Sequence, residues 1–169
     1  MSTGSHDKLS KPSPWVTRWA PLIPPGAVLD VASGSGRHAR FLAHLGYSVT
    51  AVDREPQVLE SVRLIRADLE DGSPWPLPGE RFQGIVVTNY LHRPLFPVLA
   101  DSLAPGGVLI YETFMLGNER FGKPSNPAHL LCPGELWDAF ASLHVIAFEQ
   151  GRVVRPKPAM VQRLCAVRT

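Results

Sequence analysis

Between residues 26 and 38 the chain reads Gly-Ala-Val-Leu-Asp-Val-Ala-Ser-Gly-Ser-Gly-Arg-His, an apolar run that carries one acid, Asp30, and then turns into a glycine-rich corner. Val28, Leu29 and Val31 predict a buried strand. Arg37 to Leu45 sets Ala39, Phe41, Leu42 and Leu45 at helical spacing and stops at Gly46. The order is therefore strand, glycine loop, helix. Gly34 and Gly36 allow a positive φ and a close backbone approach that side chains would block, while the free N–H groups at the helix start favour a carboxylate or phosphate. An anionic group is expected to dock at this corner.

The rest of the chain repeats the alternation. A second strand, Ser48 to Val52, stops at Asp53; a short helix is expected over Pro56 to Val62, then a third strand around Leu64 to Ala67, followed by Asp68. The stretch from Asp71 to Arg81 holds Gly72, Pro74, Pro76, Pro78 and Gly79, so this crossover is expected to be a loop and not a helix. Ile85, Val86 and Val87 mark Phe82 to Thr88 as a central strand covered on both faces. Phe96 to Leu103 reads as helical, Pro105-Gly106-Gly107 as its break, and Val108 to Thr113 as a fifth strand. Residues 114–133 lack apolar periodicity and are rich in glycine and proline, the character of a lid or binding loop. Gly134 to Leu143 reads as a helix, and Val145 to Val154 with Val161 to Val167 as an antiparallel hairpin at the sheet edge. This pattern predicts a single α/β domain, a doubly wound and mostly parallel seven-stranded sheet, in which ligands sit beyond the carboxyl ends of the strands.

Composition narrows the function. The chain has 169 residues, 44% of them hydrophobic, enough for one domain with a real core. Its 17 basic and 15 acidic side chains are scattered and the net charge is only +2, which gives no clear nucleic-acid signal. Cys132 and Cys165 lie far apart without a CxxC or Cys/His cluster, so neither a metal site nor a disulfide framework is expected. With no membrane-length apolar run and no signal-peptide core, a cytoplasmic location is the expectation. Residues 1–13, rich in Ser, Lys and Pro, are expected to form a loose tail ahead of a domain over 14–169.

Two cofactors fit the glycine corner by spacing alone. Gly34-Ser35-Gly36-Arg37-His38-Ala39 satisfies the GxGxxA form of the dinucleotide fingerprint, and Asp53 falls near the interval for a ribose-binding acid. A dinucleotide site does not, however, call for Asp30 inside the preceding strand, nor for Asp68 and Asn89 after the next two. With Asp30-Val-Ala32-Ser-Gly34-Ser-Gly36, Asp53, Asp68 and the turn Leu103-Ala104-Pro105-Gly106-Gly107 in this order, the chain resembles the class I S-adenosylmethionine-dependent methyltransferases from about Gly26 to Thr113. Its Gly-Ser-Gly-Arg-His is also similar to the Gly-x-Gly-Arg-Asn of tellurite-resistance-type methyltransferases, which are small single-domain enzymes. The resemblance implies a Rossmann-like fold and S-adenosylmethionine as cofactor. It further implies that Gly34 and Gly36 contact the methionyl part, Asp53 the ribose, and Asp68 with Leu69 the adenine. Asp30 would fix the loop or reach the ammonium group, and Ala32, Ser33, Arg54, Asn89 and Tyr90 complete the implied cofactor-facing set. Ala32 departs from the family's glycine, which leaves room for the cofactor but tightens the turn. Taken singly, each aspartate reads equally well as a turn or cap residue.

A sulfonium already activates the methyl group, so the protein has mainly to align an acceptor with the carbon–sulfur bond and exclude water. Thr88-Asn89-Tyr90-Leu91-His92-Arg93 follows the fourth strand, where the family lines this space. His92 is the candidate base, since imidazole changes protonation near neutral pH; packing under the cofactor is its alternative. Tyr90 and Glu112 are the other catalytic candidates, with Tyr111 and Glu112 ending the fifth strand toward the acceptor. Asn118, Arg120, Phe121 and Lys123 lie in the expected lid. Trp15 and Trp19 either fold across the cofactor side or staple the N-terminal segment to the core, Trp75 reads as a core plug, and Trp137 fits the apolar face of its helix. His6, His38, His44, His129 and His144 show no ligand spacing. Asn89-Tyr90 lacks the prolines of amino-methylating DNA enzymes. The function expected is in-line methyl transfer to a small-molecule acceptor, with a protein partner or homodimer left open. The alternatives are a non-catalytic cofactor- or partner-binding domain of the same fold and an NAD(P)-dependent oxidoreductase.

Overall fold

A computed structural model describes residues 11–169. Seven strands form one sheet in the order β3-β2-β1-β4-β5-β7-β6. The strands are β1 (Ala27–Val31), β2 (Ser48–Asp53), β3 (Val62–Arg66), β4 (Phe82–Thr88), β5 (Leu103–Phe114), β6 (His144–Val153) and β7 (Ala159–Val167). The helices are α1 (Pro14–Trp19), α2 (Arg37–His44), α3 (Phe96–Asp101) and α4 (Glu135–Ala139). β1 to β5 pair in parallel, whereas β7 runs antiparallel between β5 and β6. The hairpin expected at the sheet edge is present, with its second strand inserted next to β5.

Strand alternation divides the core in two. Leu29, Val31, Ile85, Val87, Leu109, Tyr111 and Leu164 face one side, where Phe96 and Leu99 of α3 and Leu136 of α4 meet them. Val28, Val86, Val108, Ile110 and Cys165 face the other, against Trp15 and Val16 of α1 and Ala39 and Leu42 of α2. Trp15 is buried and donates its indole N–H to the Leu164 carbonyl at 3.1 Å, so it staples α1 to the sheet. Gly84 leaves the space that Ile23 fills; a Cβ there would lie 2.8 Å from the Ile23 side chain. Trp75 is half-buried against the first cluster.

Several expectations are corrected. Pro56 to Val62 is not helical: residues 54–61 run as turn and coil, and Val62 already belongs to β3. The reason is reach. A parallel neighbour must start back at the opposite end of the sheet, roughly 17 Å away for five residues of strand, and eight residues coiled into a helix would span only about 12 Å. β3 has no fully buried residue as a result. The Pro105-Gly106-Gly107 turn does not end a helix ahead of a separate strand; β5 starts at Leu103 and carries the turn as a bulge between the Phe82↔Leu103 and Gly84↔Val108 pairs. The expected helix over 134–143 shrinks to Glu135–Ala139, and Trp137 is 49% exposed, edge-on to Phe148 at 5.5 Å. Ser13, placed in the expected loose tail, is 4% exposed and caps α1, while the earlier residues of that tail, 1–10, lie outside the described residues. Among the described residues no helix is long and apolar enough to cross a membrane.

Candidate functional site

The chain leaves β1 toward β2 and β3 and returns at β4 to β1's other side, so a crevice opens where β1 and β4 end. The glycine corner lies there. Ser33 N–H donates to the Val52 carbonyl at 3.0 Å and Gly36 N–H to the Ser33 carbonyl at 2.9 Å, which ties the loop to β2 and closes the turn into α2. Ala32, Gly34 and Gly36 adopt φ of 55°, 55° and 83°. A Cβ on Gly34 would meet nothing within 4 Å, so the loop presents an open cradle on that side.

The acids gather around it. Asp30 is 1% exposed and its Oδ2 has no hydrogen-bond partner. Burial pushes its carboxyl up to about 7, opposed by the Ala39 N–H and by Arg37. Asp53 accepts from Gly34 N–H at 3.2 Å and from Glu55 N–H at 3.0 Å, so it braces the loop from the end of β2. Asp68 accepts from Glu70 N–H at 2.9 Å, with exposed Arg54 4.0 Å away, a pairing of little energetic weight. Leu69 is half-buried against the first core cluster. Three carboxylates at the ends of β1, β2 and β3, a buried unpartnered oxygen and an open glycine cradle suit a ligand that carries an ammonium, a ribose diol and an amino-bearing base.

Beyond β4, Asn89 takes φ of 54°, a conformation asparagine tolerates, and its N–H donates to the Glu112 carbonyl at 2.9 Å. Asn89, Tyr90 and Leu91 form one wall of a cleft of about 310 Å³; Thr113 and Phe114 at the end of β5, Pro124 and His129 of the 114–133 loop, and Glu70 complete it. Tyr90 donates its hydroxyl to Glu70 Oε2 at 3.2 Å and receives the Tyr111 hydroxyl on its carbonyl at 2.8 Å. Burial and the Glu70 carboxylate hold the Tyr90 phenol well above its usual range, and burial does the same for Tyr111. The 114–133 loop is pinned by Arg93, whose guanidinium forks onto Glu135 at 2.6 and 2.9 Å.

Two catalytic candidates lie elsewhere. Glu112 does not face the cleft: one carboxylate oxygen receives the Ser13 hydroxyl at 2.7 Å and the other binds Arg163, so the geometry corrects the expectation that it faces the acceptor. His92 does not line the cleft either; its Nδ1 stands 3.7 Å from Glu70 Oε1. Tyr90 does line it. A different histidine, His38, is 2% exposed and links three segments. Its Nε2 accepts from Ser13 N–H at 2.9 Å, which leaves Nδ1 to carry the proton toward Thr88 Oγ1 at 3.2 Å. Burial and Arg37 lower it to about 3, so it is a neutral imidazole. No periodicity signals a contact between residues 25 and 50 positions apart, and this network was not legible in the sequence.

Residues 28–107 match the family model described as a methyltransferase domain. By structure the chain is similar to TehB from Haemophilus influenzae, with a TM-score of 0.72 and 17% identity over 91% of this chain and 61% of that one. The family-model match covers just under half of the chain, from β1 to the turn within β5, and is a likeness of this stretch to methyltransferase domains. The fold is also similar to that of the 1,6-didemethyltoxoflavin-N1-methyltransferase of Burkholderia thailandensis, with bound 1,6-didemethyltoxoflavin and S-adenosylhomocysteine (TM-score 0.65, 21% identity, 99% of this chain and 80% of that one). Among curated sequences, the protein-L-isoaspartate O-methyltransferase of Chlorobaculum tepidum is 35% identical over 107 residues, 58% of this chain. The chain spans about half the length of that relative, 49%.

Proposed function

We propose that this chain is a class I methyltransferase that binds S-adenosylmethionine and moves its methyl group to a small-molecule acceptor by in-line displacement. The observation that carries the reading is the cleft of about 310 Å³ walled by Asn89, Tyr90 and Leu91, which follow the strand lying beside the glycine corner. Its size suits a compact acceptor. In this reading Gly34 and Gly36 cradle the methionyl group, with Ala32 and Ser33 shaping the turn. Asp53 accepts from the ribose hydroxyls, Asp68 and Leu69 hold the adenine, and Arg54 covers the open side. Asp30 holds the loop from below, Asn89 and Tyr90 border the methyl group, and residues 114–133 form the lid. S-adenosylmethionine supplies an electrophilic methyl on a good leaving group, so the chain's own task is alignment and exclusion of water.

The curated relatives, protein-L-isoaspartate O-methyltransferases, support a second acceptor class, an isoaspartate residue of a protein. The Glu70 carboxylate on the cleft wall disfavours an anionic acceptor, which places the small neutral or cationic acceptor first. Calorimetry with S-adenosylmethionine and S-adenosylhomocysteine tests cofactor use. Release of S-adenosylhomocysteine with pooled small amines, phenols and thiols, against an isoaspartyl peptide, then separates the acceptors. Turnover with the peptide alone overturns the small-molecule reading, and binding of neither nucleoside overturns both.

A further inference from the structure

The 114–133 loop carries an imidazole with no part in the reading above. His129 closes the single turn Pro127–His129, capped by Asn126, whose Oδ1 accepts from Ala128 N–H at 3.0 Å. One side chain holds the backbone on either side of it: Arg93 donates to the Ala128 carbonyl at 3.3 Å and to the Leu130 carbonyl at 3.0 Å. The same guanidinium is locked by its fork onto Glu135, whose Oε1 also accepts from Cys132 N–H at 2.9 Å. A planar guanidinium engaged on four acceptors has no free rotation. The carbonyls flanking His129 are therefore fixed relative to the segment that follows β4. That segment is the opposite wall of the cleft His129 lines, whereas His92 stands outside it against Glu70.

From this juxtaposition we infer that His129 is the acceptor-facing base of the methyl transfer and that Arg93 is the positioning residue that holds it there. The inference rests on the methyl-transfer reading. His129 takes the proton from the acceptor's O–H or N–H as the acceptor's lone pair forms the bond to the methyl carbon; the carbon–sulfur bond breaks with its electron pair staying on sulfur. The proton then passes from the imidazolium to water. Glu70 and Tyr90 are the ionisable groups facing His129 across the cleft, with Arg93 and Glu135 behind it.

The test needs no acceptor. S-adenosylmethionine and S-adenosylhomocysteine differ at sulfur by one positive charge, and a positive charge near an imidazole disfavours its protonated form. Histidine-labelled protein is titrated by NMR with each nucleoside at saturation, the His129 signal being assigned by its loss in His129→Gln. The expected result is a His129 midpoint lower with S-adenosylmethionine than with S-adenosylhomocysteine. In Arg93→Met the difference collapses while calorimetric affinity for both nucleosides is kept; Arg93→Lys, which keeps the charge and loses the fork, serves if the first variant does not fold. Equal midpoints with both nucleosides bound overturn the assignment of His129, and an undiminished difference in the folded Arg93 variant overturns the positioning role. Failure of both nucleosides to bind overturns the methyl-transfer reading itself.

Discussion

Ala32 occupies a left-handed conformation, φ 55°, at the position where the methyltransferases it resembles carry glycine. A Cβ in that region costs about 1–2 kcal/mol, and returning glycine adds back about 0.4–1 kcal/mol of unfolded-chain entropy. Ala32→Gly should therefore raise stability by roughly 0.5–1 kcal/mol, a Tm increase of about 1–4 °C, read by scanning calorimetry; a lower Tm would show that the loop is relaxed around Ala32. Asp53 is the other residue whose role is sharpened. The sequence marks it as a ribose acid, and the structure adds that it accepts from Gly34 N–H and so braces the cradle itself. Asp53→Ala should weaken S-adenosylmethionine binding by about 1–3 kcal/mol, and unchanged calorimetric affinity in the folded variant would remove it from the site.

At the scale of elements, the clearest lesson is the connection between β2 and β3. A short helix is expected over Pro56–Val62, yet the eight residues between β2 and β3 cannot both coil and return to the start of a parallel strand, and they run as turn and coil with Val58 exposed. The alternation of strands and the proline-rich loop over 71–81 were legible because they depend on local composition. The clamp of the 114–133 loop was not, since Arg93 and Glu135 are 42 residues apart and each reads as a solvated charge. The clamp predicts that Glu135→Gln, which keeps the shape but not the charge of the fork, speeds limited proteolysis within residues 114–133. Equal cleavage rates for the variant and the parent would show that the buried Leu130 and Leu131 hold the loop without it.

For the whole molecule, two buried groups at the switch point act in opposite senses on stability. Asp30, raised to about 7, binds its proton more tightly folded than unfolded, so its contribution falls as pH rises from about 4 to 7. His38, lowered to about 3, resists protonation when folded, so its contribution is full above about 6.5 and is lost as pH falls toward 3. Between about pH 4 and 6.5 the two slopes offset each other. Asp30→Asn removes one of them, and denaturant melts should then show stability declining more steeply than in the parent as pH drops from 6.5 to 4. A parallel pH profile would show that Asp30 does not titrate in that window.

The sequence by itself determined the layered α/β fold and marked the glycine corner and the acids around it. Strand alternation, glycine conformational freedom and the acids that end successive strands are all local signals, and a parallel sheet brings its strand ends together whatever the details. Only the tertiary structure decided which groups line the cleft beyond β4. It turned Glu112 to Arg163 and Ser13, set His92 against Glu70, buried His38 as a neutral link and brought His129 and Tyr90 to one cleft. Those placements depend on loop closure and on ion pairs between segments tens of residues apart, and neither leaves a period or a spacing in the chain.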